Sequence, residues 1–357
     1  PGAPALMIGS HTDTVIDAGK YDGCLGVVAA IVCVDQFHRA GRRFPFAIEV
    51  LAFSDEEGVR WSGGVMGSGA LAGTFQPDRL SLLDAQGTSL REAMALYGLD
   101  PSELGQARRR GDEILAYIEL HIEQGPVLES ENLALGCVTA ISGATRLTVE
   151  IEGMAGHAGT VPMHLRRDAL SAAAECVLAI ERIGHDNQMV CTVGRIAAEP
   201  GAANVIPGKA QFSVDLRTQD DRVQDLALAE LTAKLGEIAE RRNVGISVRK
   251  HGSRKTLQCA DWLQEQICTA IETVQPKAFR LPSGAGHDGI SMSRITDIGM
   301  MFVRCRGGIS HHPDEHVEPA DIDASVSALS ALIAAFAPAE PSVGTAPAHH
   351  QTTTTGD

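Results

Sequence analysis

The sequence predicts an α/β fold interrupted by a smaller α+β unit, and three observations carry that expectation. Strand-like and helix-like hydrophobic periods alternate from the start to about residue 140, the pattern of a sheet covered on both faces. The rhythm then changes to strand, helix, two strands, helix, strand, and the first rhythm resumes from about residue 255. A chain of 357 residues, 44% hydrophobic and 21% charged, has room for about two or three domains and excludes a fibrous or disordered protein.

The apolar run Ala5-Leu6-Met7-Ile8 marks a buried strand over 5–9, followed by a helix over 26–37 and a strand over 46–53. A loop-rich stretch, 77–111, leads to a strand over 114–122. Residues 146–152 alternate as a half-buried strand, and 167–183 carry apolar positions at helical spacing. Strands over 190–197 and 210–217 flank a turn containing Gly, Pro and Asn; a helix over 222–241 and a strand over 245–249 complete a βαββαβ unit. A helix over 262–274, a strand over 299–304 and a helix over 320–336 return to the first pattern. The expected division is one domain from 1–140 and 255–337, with 141–254 inserted into it. The tail 338–357, rich in Pro, Ala and Thr, has too little apolar content to pack and is expected to be disordered. Because the first strand follows Pro1-Gly2-Ala3-Pro4 with no element before it, an upstream segment is expected to be missing.

A formal charge of −15, with no basic run longer than Arg108-Arg109-Arg110, argues against nucleic-acid and anionic-membrane partners. No stretch approaches the ~20 apolar residues of a membrane span, and no leader is visible, so a cytoplasmic protein is expected. The eight cysteines are scattered without a Cys-x-x-Cys pair, which excludes zinc knuckles and thioredoxin-type pairs and suits a reducing compartment.

The polar residues gather at the ends of the expected strands, where an α/β sheet places its ligand crevice. Gly9-Ser10-His11-Thr12-Asp13 follows the first strand, Lys20-Tyr21-Asp22-Gly23 precedes the first helix, and Ser54-Asp55-Glu56-Glu57-Gly58 follows the second strand. Glu119-Leu120-His121-Ile122-Glu123-Gln124-Gly125 ends the third. Beyond the insertion come Ser283-Gly284-Ala285-Gly286-His287-Asp288-Gly289 and Gly307-Gly308-Ile309-Ser310-His311-His312. Singly, each has a bland alternative: a solvated charge run or an acidic helix start for 55–57, a strand-end charge for Glu123, and solvated histidines at His38, His185, His251, His349 and His350. As a set, imidazoles and carboxylates at separate strand ends can converge, and mixed His/Asp/Glu donors without Cys suit zinc or manganese.

In this spelling and order, His11-x-Asp13, Asp22-Gly23, Asp55-Glu56-Glu57-Gly58, His121-Ile122-Glu123-Gln124-Gly125-Pro126 and Gly307-Gly308-Ile309-Ser310-His311 resemble the di-metal amidohydrolases of the aminoacylase/carboxypeptidase superfamily. Within it they resemble the branch of allantoate amidohydrolase, N-carbamoyl-L-amino acid hydrolase and β-ureidopropionase, from about residue 5 to 336. The resemblance implies a mixed-sheet metallohydrolase catalytic domain with an inserted, ferredoxin-like βαββαβ lid and dimerisation domain, hence a homodimer. It also implies two divalent ions per subunit, bridged by Asp22, with His11 and His121 as terminal ligands, Glu57 on one ion and His311 on the other. Chemistry alone leaves His311 and His312 both open; the family's Gly-Ile-Ser-His order favours His311.

Glu56 takes the family's general-base position, and one of two adjacent glutamates at a turn can bind metal while the other faces water. Asp13 resembles the carboxylate that orients the imidazole of His11 through its other ring nitrogen. His157, in Gly156-His157-Ala158-Gly159, resembles an oxyanion-stabilising His often supplied to the neighbouring subunit. Gln124, Asn204 and Arg217 match substrate-binding positions, with Arg217 apt as a fork for a carboxylate. Read without the motif, Asn204 is a turn residue and Arg217 a surface ion-pairing residue. His287-Asp288 is read as supporting the site without binding metal. Where the branch carries Gly-Ser-Arg after the Glu pair, this chain has Gly67-Ser68-Gly69.

The activity implied is hydrolysis of the C–N bond of a ureido or carbamoyl group on a small carboxylate substrate. Phe302-Val303-Arg304-Cys305-Arg306-Gly307-Gly308 and Asp55-Glu56-Glu57-Gly58-Val59-Arg60 favour allantoate, with N-carbamoyl-L-amino acids next. A dipeptidase or aminoacylase, and a non-catalytic relative of the fold, are the remaining alternatives.

Overall fold

The computed structural model describes residues 2–339. Its larger sheet runs in the order Leu257–Gln258, Leu135–Ile141, Ile298–Val303, Ile114–Ile122, Ala5–His11, Ala47–Phe53, with Arg280–Ser283 also paired to Leu135–Ile141. The strands from Ile298–Val303 to Ala47–Phe53 are parallel, whereas Leu135–Ile141 runs antiparallel to Ile298–Val303, so the sheet is mixed. Helices Cys24–Arg39, Asp261–Ile271 and Pro319–Ala335 cover one face, sharing a core with Leu6, Ile8, Ile118 and Leu120. The other face buries Met7, Tyr117, Met300 and Phe302. Burial on both faces explains why the central strands read as unbroken apolar runs. The first helix sits so close to the sheet that a Cβ at Gly26 would lie 2.1 Å from the Leu120 carbonyl oxygen.

A second sheet occupies residues 143–254. Gly245–Arg254, Gly143–Glu152, Lys209–Thr218 and Val190–Thr192 are neighbours in that order, all antiparallel, and Ile196–Glu199 also pairs with Lys209–Thr218. Helices Ala169–Asp186 and Asp221–Arg242 cover one face over Val149, Ile151, Phe212, Val214 and Leu216. Burial along Lys209–Thr218 alternates with period two, which turns Ser213, Asp215 and Arg217 to the opposite face.

Some elements differ from their sequence expectation. The strand expected over 190–197 is two short strands, because Arg195 bulges at the break, its N–H donating to Ser213 Oγ (3.1 Å) and its carbonyl accepting from Ser213 N–H (2.9 Å). The strand expected over 245–249 continues to Arg254, and the strands Leu135–Ile141 and Arg280–Ser283 were not anticipated. Within the loop-rich stretch, Leu90–Leu96 is helical and capped by Ser89 and Glu92. The expected disordered tail lies, from residue 340 on, outside the described residues, as do His349 and His350. Among the described residues no helix is long and apolar enough to cross a membrane.

Candidate metal centre and active site

Parallel neighbours end at the same edge, so the strands gather their terminal residues into one place. His11 closes its strand, His121 lies one residue from the end of the adjacent one, and Glu56 and Glu57 follow the strand Ala47–Phe53 on the other side. Asp22 arrives from the loop before the first helix. Gly23 there has φ +66, and a Cβ at that position would lie 2.4 Å from the His11 ring. Only glycine lets the loop close over the imidazole at this point.

Asp22 is buried at the centre of two donor sets. Its Oδ1 lies 3.4 Å from His11 Nε2 and 3.1 Å from His121 Nε2. Its Oδ2 lies 3.4 Å from His311 Nε2, which is 3.1 Å from Glu57 Oε1. The backbone fixes both inner imidazoles: His11 Nδ1 is 2.8 Å from the Asp13 carbonyl and His121 Nδ1 is 2.9 Å from the Ile122 carbonyl. With those nitrogens donating, the two Nε2 lone pairs face each other at 3.3 Å beside Asp22 Oδ1. Asp22 Oδ1 and Glu57 Oε1 are buried and have no hydrogen-bond partner. Such a convergence of lone pairs calls for positive charge, and nitrogen and oxygen donors of this kind fit divalent cations.

The electrostatics point the same way. Burial would lower the pKa of His11, yet the bond to Asp22 and the charges of Glu56 and Asp288 push it up to about 10. Asp22 and Glu57 likewise push His311 up to about 10. Burial would raise Asp22, but its bonds to His11, His121 and His311 hold it far below the carboxylate range. Burial, together with the charges of Glu57 and Glu119, raises Glu56 to about 7 against the opposing pull of His11 and His121. A carboxylate poised near neutrality beside a donor cluster is what proton transfer at that site requires.

Most expected site residues are brought together, with differences in detail. The resemblance put Glu57 and His311 on different ions; in the structure the 307–311 loop brings His311 Nε2 to 3.1 Å from Glu57 Oε1 and 3.4 Å from Asp22 Oδ2, so the three form one candidate donor set, while Glu57 also lies within reach of His11 and Glu56. The Asp13 carboxylate does not orient His11. It accepts the backbone N–H groups of Glu56 and Glu57, both at 3.1 Å, and so pins the turn that carries them, while Asp13's carbonyl holds the imidazole. His311 faces the cluster, whereas exposed His312 turns toward Asp314. Gln124 donates to Asp22 Oδ2 (2.7 Å).

Arg217 is already engaged, donating to both oxygens of Asp215 (2.8 and 3.1 Å) and to the Gly284 carbonyl (2.7 Å). Gln124, His311, Asp215 and Arg217 line a cleft of about 1200 Å³ between the two sheets. His157 and Asn204 adjoin one another on the inserted unit, where Ala158 N–H donates to the Asn204 carbonyl, and neither lines that cleft. Buried His287 packs edge-on against His121, with ring centroids 4.5 Å apart, and Nε2 sits 2.7 Å from Ser283 Oγ. Sequence reasoning missed Glu119, which accepts from Ser10 Oγ and Gly289 N–H behind the imidazoles, and Glu315, which binds the Asp22 loop. Glu119 lies two residues before His121 on the same strand face, a signal the pattern did offer.

An α/β sheet bearing two sets of His and carboxylate donors around one shared Asp defines a class of divalent-metal hydrolase sites. Residues 7–335 match Peptidase family M20/M25/M40, and the chain belongs to that family. It is 41% identical to an allantoate deiminase of Arabidopsis thaliana over 91% of this chain and 68% of the relative. It is also 41% identical to an N-carbamoyl-L-amino acid amidohydrolase of Geobacillus stearothermophilus, over 88% of this chain and 77% of the relative. The crystal structure of an amidase of the hydantoinase/carbamoylase family from Burkholderia multivorans superposes with a TM-score of 0.87 at 32% identity, covering 93% of this chain and 80% of that one.

Proposed function

We propose that this protein is a metal-dependent amidohydrolase that cuts the C–N bond of a ureido group on a small carboxylate substrate, most fittingly allantoate, with release of ammonia and carbon dioxide. The observation that carries the reading is the meeting of two donor sets on Asp22, next to Glu56 and with His311 at the cleft wall. His11, His121 and Asp22 Oδ1 would hold one divalent ion, zinc or manganese, and Glu57, His311 and Asp22 Oδ2 the other. Ions so bound would supply Lewis-acid polarisation of the ureido carbonyl and acidify a water molecule. Glu56 would accept a proton from the attacking water and return it to the leaving nitrogen. Arg217 receives the substrate carboxylate by sharing its fork with Asp215, and Gln124, which lines the same cleft, orients the substrate.

His157, as the resemblance implies, serves the neighbouring subunit's site in this reading, and Asn204, whose carbonyl accepts the Ala158 N–H, binds substrate beside it. That places a homodimer contact on the inserted unit, 141–254, which acts as the lid of a catalytic domain made of 1–140 and 255–337. The eight free cysteines fit a reducing, cytoplasmic setting. A second reading, N-carbamoyl-L-amino acids as substrates, is favoured by the equal identity to the Geobacillus relative. Ammonia release from allantoate, measured beside a panel of N-carbamoyl-L-amino acids and dipeptides, separates these. Turnover of allantoate above the panel supports the first reading, and dipeptide hydrolysis without action on ureido acids overturns both.

A further inference from the structure

Glu315 is buried and forms no ion pair with any cationic side chain among the described residues. Its Oε1 accepts the backbone N–H groups of Tyr21 (2.9 Å) and Asp22 (3.1 Å). A Cβ at Gly19 would lie 2.4 Å from that same oxygen, so the loop packs directly against the carboxylate. Its Oε2 faces the hydroxyl of Ser310 at 3.2 Å, and Ser310 Oγ is 2.7 Å from Asp22 Oδ2. The Gln124 amide donates to Ser310 from a third side, also at 3.2 Å.

Ser310 therefore stands between two carboxylates with a single proton to give. At the shorter distance that hydrogen points to Asp22 Oδ2, the oxygen 3.4 Å from His311 Nε2. The Gln124 amide donates to the same oxygen, also at 2.7 Å, so both of its lone pairs are occupied and a cation arriving there must displace a donor. Rotation of the hydroxyl toward Glu315 Oε2 frees one of them without breaking a covalent bond or moving a charge, while Gln124 keeps the other.

We infer that Glu315 is a positioning residue that accepts the Ser310 hydroxyl when a cation binds at Asp22 Oδ2, and so determines how tightly the second ion is held. The inference rests on the two-ion reading above. It differs from plain anchoring of the loop, because Glu315→Gln keeps an oxygen for the two backbone N–H groups while its amide nitrogen, a donor, leaves the Ser310 proton fixed on Asp22.

The test is zinc titration of the chelator-stripped full chain by calorimetry, for wild type, E315Q, S310A and the double variant. Wild type is expected to bind two ions. E315Q is expected to keep the first affinity, which doubles as proof of folding, and to lose about 10–100-fold at the second, the range of one hydrogen bond to a charged group. In S310A/E315Q the Ser310 proton is gone, and the second affinity returns to within about threefold of S310A. An E315Q protein with both affinities unchanged, one that loses both ions together, or a double variant as weak as E315Q overturns the inference. A wild type that binds fewer than two ions overturns the two-ion reading itself.

Discussion

Glu56→Gln isolates proton transfer from metal binding. Glutamine has the shape of glutamate, and the backbone N–H at this position keeps its bond to Asp13 Oδ1, so the turn carrying Glu57 stays in place. What disappears is a carboxylate that burial and the neighbouring Glu57 and Glu119 charges have raised to about 7. General-base catalysis contributes typically about 10²–10⁴-fold, so kcat is expected to fall by that factor, or about 2.7–5.4 kcal/mol at ~1.36 kcal/mol per decade. The active form of a base is the deprotonated one, so activity rises with pH through the pKa of Glu56. Bound cations draw that pKa down, which places the acid limb of the wild-type kcat profile at or below about pH 7. The assay is ammonia release across pH, with ions per chain counted on the same samples. Two ions retained, kcat reduced at least a hundredfold and the acid limb lost is the expected result. A kcat within tenfold of wild type, with the limb unchanged, removes Glu56 from the base role.

Three further outcomes follow from the geometry. Arg217→Ala is expected to raise KM for a carboxylate substrate about 10–100-fold, the range of a bond to a charged group, with kcat within a few-fold; an unchanged KM sinks the carboxylate-clamp assignment. Gly26→Ala forces a methyl into the Leu120 carbonyl at 2.1 Å, and overpacking of this kind costs about 1–3 kcal/mol. Thermal unfolding several degrees below wild type is expected, and an unchanged Tm contradicts the close seating of the first helix. Stripping the ions should lower Tm, because a ligand that binds the folded chain alone adds to its stability. Zinc restored to 100 times its Kd should return about 2.7 kcal/mol, and a Tm indifferent to zinc contradicts the metal-site reading.

The α/β frame and the site's location were legible because strand-end polarity survives folding: parallel neighbours deliver His11, His121 and the Glu56-Glu57 turn to one edge whatever the loops do. The strand Leu135–Ile141 escaped notice because a short apolar run holding Gly136 and Ala140 has no period that separates strand from helix. Which oxygen of Asp22 each donor meets depends on how the 307–315 loop crosses to the 19–22 loop, nearly 300 residues away in sequence, and no local pattern encodes it. Asp13 shows a subtler limit. Its proximity to His11 was correctly legible, but a residue there can orient the imidazole through its carbonyl as easily as through its carboxylate. The Asp215 partner of Arg217 was within reach of sequence reasoning, since residues two apart on a strand share a face.

The most direct test of the two-ion ureido hydrolase is a zinc or manganese titration of the stripped protein, followed by ammonia release from allantoate. Activity is expected to be absent without metal and to climb to a plateau at two ions per chain. Turnover that persists in the stripped protein, a plateau at one ion per chain, or no ammonia at any ion loading contradicts the account.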